Sequence, residues 1–451
     1  MDKSNRGSFS GKLGYIMTVA GSAVGLGNIW RFPYLTAKYG GGIFLLVYII
    51  LTVTFGYTLV MAETALGRKT GASAITAFGK LSKKHNFIGV INAVIPMLIV
   101  PYYSVIGGWV IKYFIDFLTG KSAVSATDGY FGSFITATYS PIIWSILFIL
   151  ATLVFVILGV KGIERLSKFI MPVLAVLAVF IAIYSVTRPG ALKGVYYYLV
   201  PDFSHFSIMT IVAALGQMFY SLSIAMGILI AYGSYSNKKI DMEKSVKQIE
   251  IFDTGIAFIA GLMIIPAVFS FSNGDPNILS AGPSLMFVTL PKVFNSMPMG
   301  GIVGAIFFLL VFFAAITSSI SLMEASISVF IDRFHMNRLK SCIIMGSLTI
   351  LIAIPCSLGF GAWDMITPFG MSILDFFDFI TNSIMMPIAA LLTCYFISRV
   401  VGVKTIVDEV KLSGQFKQEK LFTVMIRYIA PICLIAILIA SILSALKFIT
   451  I

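Results

Sequence analysis

The 451-residue chain is 58% hydrophobic and only 11% charged, which excludes an ordinary soluble domain; its many apolar runs of about twenty residues describe a polytopic membrane protein. Its formal net charge of +13 is spread over alternate loops and forms no basic arm, which sets aside nucleic-acid binding. Cys342, Cys356, Cys394 and Cys433 all fall in apolar runs and the three histidines are scattered, so neither disulfide nor metal-site spacing is present and a metal enzyme has no support.

The basic tail MDKSNRGSFSGKLG leads into an apolar run too long for a signal peptide and without a cleavage context, so this run is expected to stay as the first helix. Read between charge clusters and Gly, Pro or Asn turns, eleven spans are predicted: 11–36, 41–67, 87–118, 142–159, 166–186, 206–233, 250–272, 302–332, 341–358, 370–398 and 424–446. Most Lys and Arg lie on one side of such a bundle, with Arg68, Lys69, Lys80, Lys83 and Lys84 in one loop and Lys238, Lys239, Lys244 and Lys247 in another. The positive-inside rule then puts the N-terminus in the cytoplasm and the C-terminus outside an inner, multi-pass membrane protein.

The first span contains GSAVGLGNIWRFPY, residues 21–34, in which three glycines, an asparagine, an arginine and a proline weaken a membrane helix. Gly21 and Gly25 could alone form a close-packing face. The sixth span, however, contains GQMFYSLSIAMG, residues 216–227, with glycines and hydroxyls at a matching depth. If spans 1–5 and 6–10 are the halves of an inverted repeat, two corresponding helices are broken midway, the sequence pointer to a secondary transporter with a midplane site. Broken helices present free amides to a carboxylate and free carbonyls to an ammonium group or sodium.

At these stretches the chain resembles the neurotransmitter:sodium symporter family, particularly its bacterial eleven-helix amino-acid transporters. The motifs carrying the likeness are GSAVGLGNIWRFPY and YGGGIF early, PYYSVIGGW in span three, SLSIAMG and YGSY in span six, AAITSSISLME in span eight and LDFFDF in span ten. The resemblance implies an all-α polytopic membrane protein with an inverted five-plus-five helix repeat, broken first and sixth helices and eleven transmembrane helices. It implies one transporter domain: 1–200 as the first repeat, 201–400 as the second, and 401–451 as a cytoplasmic loop and the eleventh helix.

The same resemblance implies two co-transported sodium ions and an amino-acid substrate. The substrate carboxylate would meet the amides of Leu26 and Gly27, the hydroxyl of Tyr103 and a sodium ion; its amine would lie against carbonyls of Ala23, Tyr220 and Ser221. Ile99, Tyr103, Tyr220, Ser223, Met226, Ser318 and Leu322 would line the side-chain pocket, where flexible Met226 accommodates large or aromatic groups. The first sodium would take the Ala23 carbonyl, Asn28, Ser221 and Asp253; the second would take carbonyls of Gly21, Val24 and Ala314 with hydroxyls of Thr317 and Ser318, an all-oxygen set suited to a hard cation. Glycine at position 25, where monoamine carriers hold an aspartate, argues for an amino acid. Arg31 with Asp378, under a Tyr220 lid, and Arg6 with Asp332, helped by Phe9 and Tyr235, would form opposed gates. Gly162 and Pro172 match a family pattern that lets the start of span five unwind.

Chloride-dependent relatives line a halide site with residues matching Tyr48, Gln217 and Ser221, an asparagine and, one turn later, a serine. Here the last two are Asp253 and Ala257, so the carboxylate is expected to replace chloride and transport to be chloride-independent. The bland alternative for Asp253 is an acid snorkelling at the inner end of span seven. Glu63 is expected to satisfy loose amides around the break in span six; Glu324 and Asp375 are read as packing or helix-end residues, and Lys112 with Asp116 as a helix-surface pair. A proton-coupled carrier on the same fold and a non-transporting amino-acid sensor are the rival readings. The oligomeric state is left open.

Overall fold

A computed structural model describes residues 7–272 and 283–445, and the elements it assigns there are helices. Nine of these are long and apolar enough to cross a membrane, and a tenth span is a bent pair: α1 (Lys12–Ala23) and α2 (Gly27–Lys38), at 57° to each other. The nine are α3 (Gly42–Thr70), α4 (Lys83–Leu118), α5 (Ser140–Ile157), α6 (Gly159–Val186), α9 (Met242–Phe271), α10 (Gly300–Phe334), α11 (Arg338–Leu358), α12 (Ile373–Val400) and α13 (Glu419–Ser444). Between α6 and α9 stand two shorter apolar helices, α7 (Ile208–Ser221) and α8 (Ile228–Tyr235). Taken as one interrupted span, they accord with the expected eleven.

Helix starts carry the expected caps, which satisfy amides that no preceding turn can reach. Ser207 and Thr210 form a reciprocal capping box at α7, the Asp241 side chain accepts from the Lys244 amide at 3.1 Å ahead of α9, and Asn337 accepts from Lys340 at 2.9 Å ahead of α11. Asp375 has the helix-end role foreseen for it, its amide donating to Ser372 Oγ at 3.1 Å at the start of α12.

Glycines set the closest crossings. A Cβ on Gly67 would stand 2.0 Å from the Ile230 carbonyl oxygen, and one on Gly233 would stand 2.3 Å from that of Thr64. The backbones of α3 and α8 are therefore in contact, a spacing that only small residues permit. At the same end of the bundle, buried Arg68 donates to Glu409 Oε1 at 2.9 Å and to the Ile240 carbonyl at 3.0 Å. That pair ties the short Val403–Lys411 helix to the foot of α3.

One expectation and one alternative reading need correcting. Lys112 and Asp116 are not a surface pair: the Asp116 side chain is buried and accepts from Tyr130 Oη at 2.6 Å and Ser125 Oγ at 3.4 Å, while Lys112 also donates to Tyr130 at 2.7 Å. Asp253 does not snorkel at a helix end. Helix α9 begins at Met242, so Asp253 sits three turns inside it and is fully buried. In this conformer α6 runs as continuous helix through Gly162 and Pro172 from Gly159 to Val186.

Candidate functional site

The two breaks face each other, and each is held open by side chains of its neighbours. Val24 is extended, with φ −72° and ψ 104°, which ends α1 and leaves the carbonyls of its last turn without helical partners. Across from it, Ser223, Ala225 and Gly227 all adopt left-handed φ values of 54°, 61° and 68°. Two of these are not glycine, and such residues cost about 1–3 kcal/mol each unless their surroundings hold them. Ser223 Oγ donates to the Ser22 carbonyl at 3.1 Å, and the Ala225 amide donates to Glu63 Oε1 at 2.8 Å. Glu63 thus performs the task expected of it. Glu63→Ala is expected to lower stability by about 1–3 kcal/mol, the cost of an unpaired buried amide, and Glu63→Gln by less, as read by the thermal unfolding midpoint in detergent.

Two oxygen clusters flank the α1 break. In the first, Asp253 accepts from Asn28 Nδ2 at 2.7 Å and takes Ser221 Oγ at 3.0 and 3.1 Å on its two oxygens. Asn28 Oδ1 in turn accepts from the Gly25 amide at 3.0 Å, which fixes the amide's orientation. Gln217 Nε2 donates to the Gly27 carbonyl at 3.0 Å, and the buried Tyr48 hydroxyl and Gln217 Oε1 have no hydrogen-bond partner among the described residues. In the second cluster, Ser318 Oγ is shared between the carbonyls of Ser22 at 3.1 Å and Val24 at 3.2 Å. Thr317 Oγ1 donates within α10 to Phe313 at 2.9 Å and Ala314 at 3.2 Å. A Cβ on Gly21 would meet Thr317 Cβ at 3.4 Å, which puts the end of α1 directly on this part of α10.

Between the clusters lies a cavity of about 30 Å³, lined by the α1 and α7 breaks together with Ile99, Tyr103, Met226, Ile228, Ser318 and Leu322. Ala23, Leu26, Gly27, Tyr220, Ser221 and Ser223 complete its wall. Every residue expected in the substrate pocket is on this surface. The Tyr103 hydroxyl is buried and has no hydrogen-bond partner among the described residues, a polar group free to meet a polar ligand in a wall that mixes serine hydroxyls with apolar side chains. Two lining residues were not foreseen, Ser22 and Ile228. Ser22 follows the expected Gly21, and Ile228 follows the left-handed Gly227; their neighbours in those motifs were the available signal.

The ends of the bundle differ. Phe9 packs edge-on against Tyr15, Tyr232 and Tyr235, and its amide donates to the Tyr235 carbonyl at 3.2 Å. Asp332 accepts from the Ser73 amide at 2.7 Å; Arg6, its expected partner, lies outside the described residues. Tyr235 Oη donates to Glu324 at 2.9 Å, and buried Glu324 forms an ion pair with the partly exposed Arg338, a more specific role than packing. At the other end Arg31 and Asp378 do not form an ion pair. Arg31 stands 5.5 Å over the Tyr220 ring, and Asp378 accepts from Asn382 Nδ2 at 2.5 Å.

The geometry can be set beside known proteins. A family profile described as the Sodium:neurotransmitter symporter family matches residues 6–131 and 135–449. A curated relative from Haemophilus influenzae, called an uncharacterized sodium-dependent transporter, is 33% identical over 98% of this chain and 99% of its own. One of the same description from Bacillus subtilis is 32% identical over 95% and 96%. The human sodium- and chloride-dependent GABA transporter 2 is 26% identical over 90% of this chain and 75% of its own. Among solved structures, that of MhsT in complex with L-phenylalanine superposes with a TM-score of 0.87 at 37% identity, covering 97% of this chain and all of that one.

Proposed function

The chain belongs to the sodium:neurotransmitter symporter family, a family of sodium-dependent membrane transporters and not of enzymes, and from that premise we propose that it carries a hydrophobic or aromatic L-amino acid into the cell with sodium. The observation that carries this reading is the buried Tyr103 hydroxyl, without a hydrogen-bond partner among the described residues, opposite the helix break in a wall whose apolar part is made by Ile99, Met226, Ile228 and Leu322. The zwitterion's carboxylate accepts from Tyr103 and from the amides of Leu26 and Gly27, at the positive end of α2. Its ammonium group lies against carbonyls of Ala23, Tyr220 and Ser221. That MhsT was solved with L-phenylalanine supports a substrate of this size and polarity.

Two sodium ions travel with it. The first is bound by the Ala23 carbonyl, Asn28, Ser221 and Asp253, and the second by carbonyls of Gly21, Val24 and Ala314 with the hydroxyls of Thr317 and Ser318. Each set is oxygen-only, and the hydroxyl and carboxamide hydrogens that now bridge these oxygens turn outward when a cation arrives. Asp253 brings a fixed negative charge to the first set, and Ala257 contributes no anion ligand, so transport is chloride-independent. Arg31 with Asp378 closes one end, Arg6 with Asp332 the other, and one helix bundle rocks against a scaffold about the site; the N-terminus is cytoplasmic by its basic loops.

The test is a thermal-shift panel of L-amino acids in sodium chloride, sodium gluconate and potassium chloride. Stabilisation by phenylalanine- or leucine-like substrates in both sodium buffers, and by none in potassium, is the expected outcome. Stabilisation that vanishes in gluconate overturns chloride independence, and stabilisation undiminished in potassium overturns sodium coupling in favour of a proton-coupled carrier.

A further inference from the structure

The partner that Asp378 holds in this structure is on its own helix. Asn382 follows four residues later in α12, where residues 379–385 widen into a π-helical turn; such turns alter which side chains share a face. Its two amide hydrogens are both used: one goes to Asp378 Oδ1 at 2.5 Å and the other to Tyr102 Oη at 3.1 Å. Tyr102, buried in α4, shares a hydrogen bond with Thr381 Oγ1 at 3.3 Å, and Thr381 donates to the Phe377 carbonyl at 2.7 Å. The direction of every bond in the chain follows. Thr381 spends its hydrogen on Phe377, so Tyr102 donates to Thr381 and accepts from Asn382. A flipped carboxamide would set its oxygen against the carboxylate, so the donors must face Asp378. This leaves Asn382 Oδ1 buried without a partner among the described residues, a cost the arrangement carries for as long as Asn382 holds Asp378.

We propose that Asn382 is a positioning residue that holds Asp378 in the open state of the Arg31 gate, so that closure is an exchange of Asn382 for Arg31 at the Asp378 carboxylate. Arg31 waits over the Tyr220 ring, 5.5 Å away, and is bound to no carboxylate among the described residues. Its arrival supplies a charge-assisted bond to Asp378 and frees Asn382 to turn its oxygen to a donor. Tyr102 sets the resting position of the switch through its hydroxyl. The inference rests on the gate reading given above and on the hydrogen-bond directions just derived.

Removing the competitor should favour closure. Asn382→Ala is expected to lower the substrate KM by about tenfold, the equilibrium equivalent of one net hydrogen bond to a charged group at the weak end of its range, while turnover falls because the gate reopens slowly. Tyr102→Phe should shift both constants in the same direction by less, and Asn382→Gln, which keeps the donors, should stay near the unmodified protein. In an Asp378→Asn background Asn382→Ala should add nothing. Hydrogen–deuterium exchange over residues 26–34 and 373–385, in sodium without any amino acid, should be slower in Asn382→Ala, and this readout survives even if the substrate assignment is wrong. Unchanged KM, turnover and exchange in Asn382→Ala overturn the proposal, as does an effect that persists undiminished beside Asp378→Asn.

Discussion

Asp253→Asn is expected to raise the sodium concentration for half-maximal uptake by about tenfold to a hundredfold, the range spanned by losing one charge-assisted interaction. The carboxylate is wholly buried and three turns inside α9, so no bulk water shares the work of balancing a cation. The substitution preserves shape and removes the charge. An amide nitrogen at 253 would oppose Asn28 Nδ2 on the oxygen position 2.7 Å away, but on the other position it donates to the Ser221 hydroxyl, so the hydrogen bonds are kept while the carboxylate's charge is lost. The measurement is a sodium titration of uptake in proteoliposomes, with Asp375→Asn as the control, since that acid sits at an exposed helix start. A half-saturation unchanged in Asp253→Asn removes this carboxylate from the sodium site.

The second large effect is at Gly25. A Cβ there would lie 2.8 Å from Ser318 Oγ and 3.3 Å from the Tyr103 hydroxyl, the two groups that face the cavity from opposite helices. The residue is not in the left-handed region, so alanine meets no backbone penalty and acts through its Cβ, which must push Ser318 Oγ aside and fills space beside Tyr103. Gly25→Ala is expected to cut uptake by about a hundredfold or more, in line with misplacement of about 1 Å in a tight site, and Gly25→Asp to abolish it while the thermal midpoint stays near that of the unmodified protein. Uptake retained in Gly25→Ala would mean that the substrate binds elsewhere.

The breaks in the first and sixth spans were legible because they violate a strong rule. Unpaired backbone at membrane depth is too costly to persist without purpose, and glycine-rich, hydroxyl-rich interruptions at matching depths advertise it. The family resemblance then grouped Asn28, Ser221 and Asp253 in one set and Gly21, Val24, Thr317 and Ser318 in another, and the fold brings the members of each together from separate elements. What escaped was set by tertiary partners. Asp116 reads as half of an ordinary i, i+4 pair until Tyr130, fourteen residues on, folds back over it. The start of α9 was set too late because Glu243, Lys247 and Glu250 look like a loop; in the fold Glu243 pairs with Lys247 at 2.7 Å and Glu250 is buried. Asn382 carries no motif, and its role depends on a widened turn and on a tyrosine from α4. Gate residues are the least legible of all, because a pair that must break as well as form shows only one of its partners in a given conformer.

The measurement that bears most directly on the whole account is accumulation of radiolabelled L-phenylalanine in proteoliposomes under an inward sodium gradient, against liposomes with potassium in its place. The account predicts uptake above equilibrium that collapses when sodium is replaced or its gradient is dissipated by an ionophore. Uptake of equal size and rate with potassium alone would contradict it.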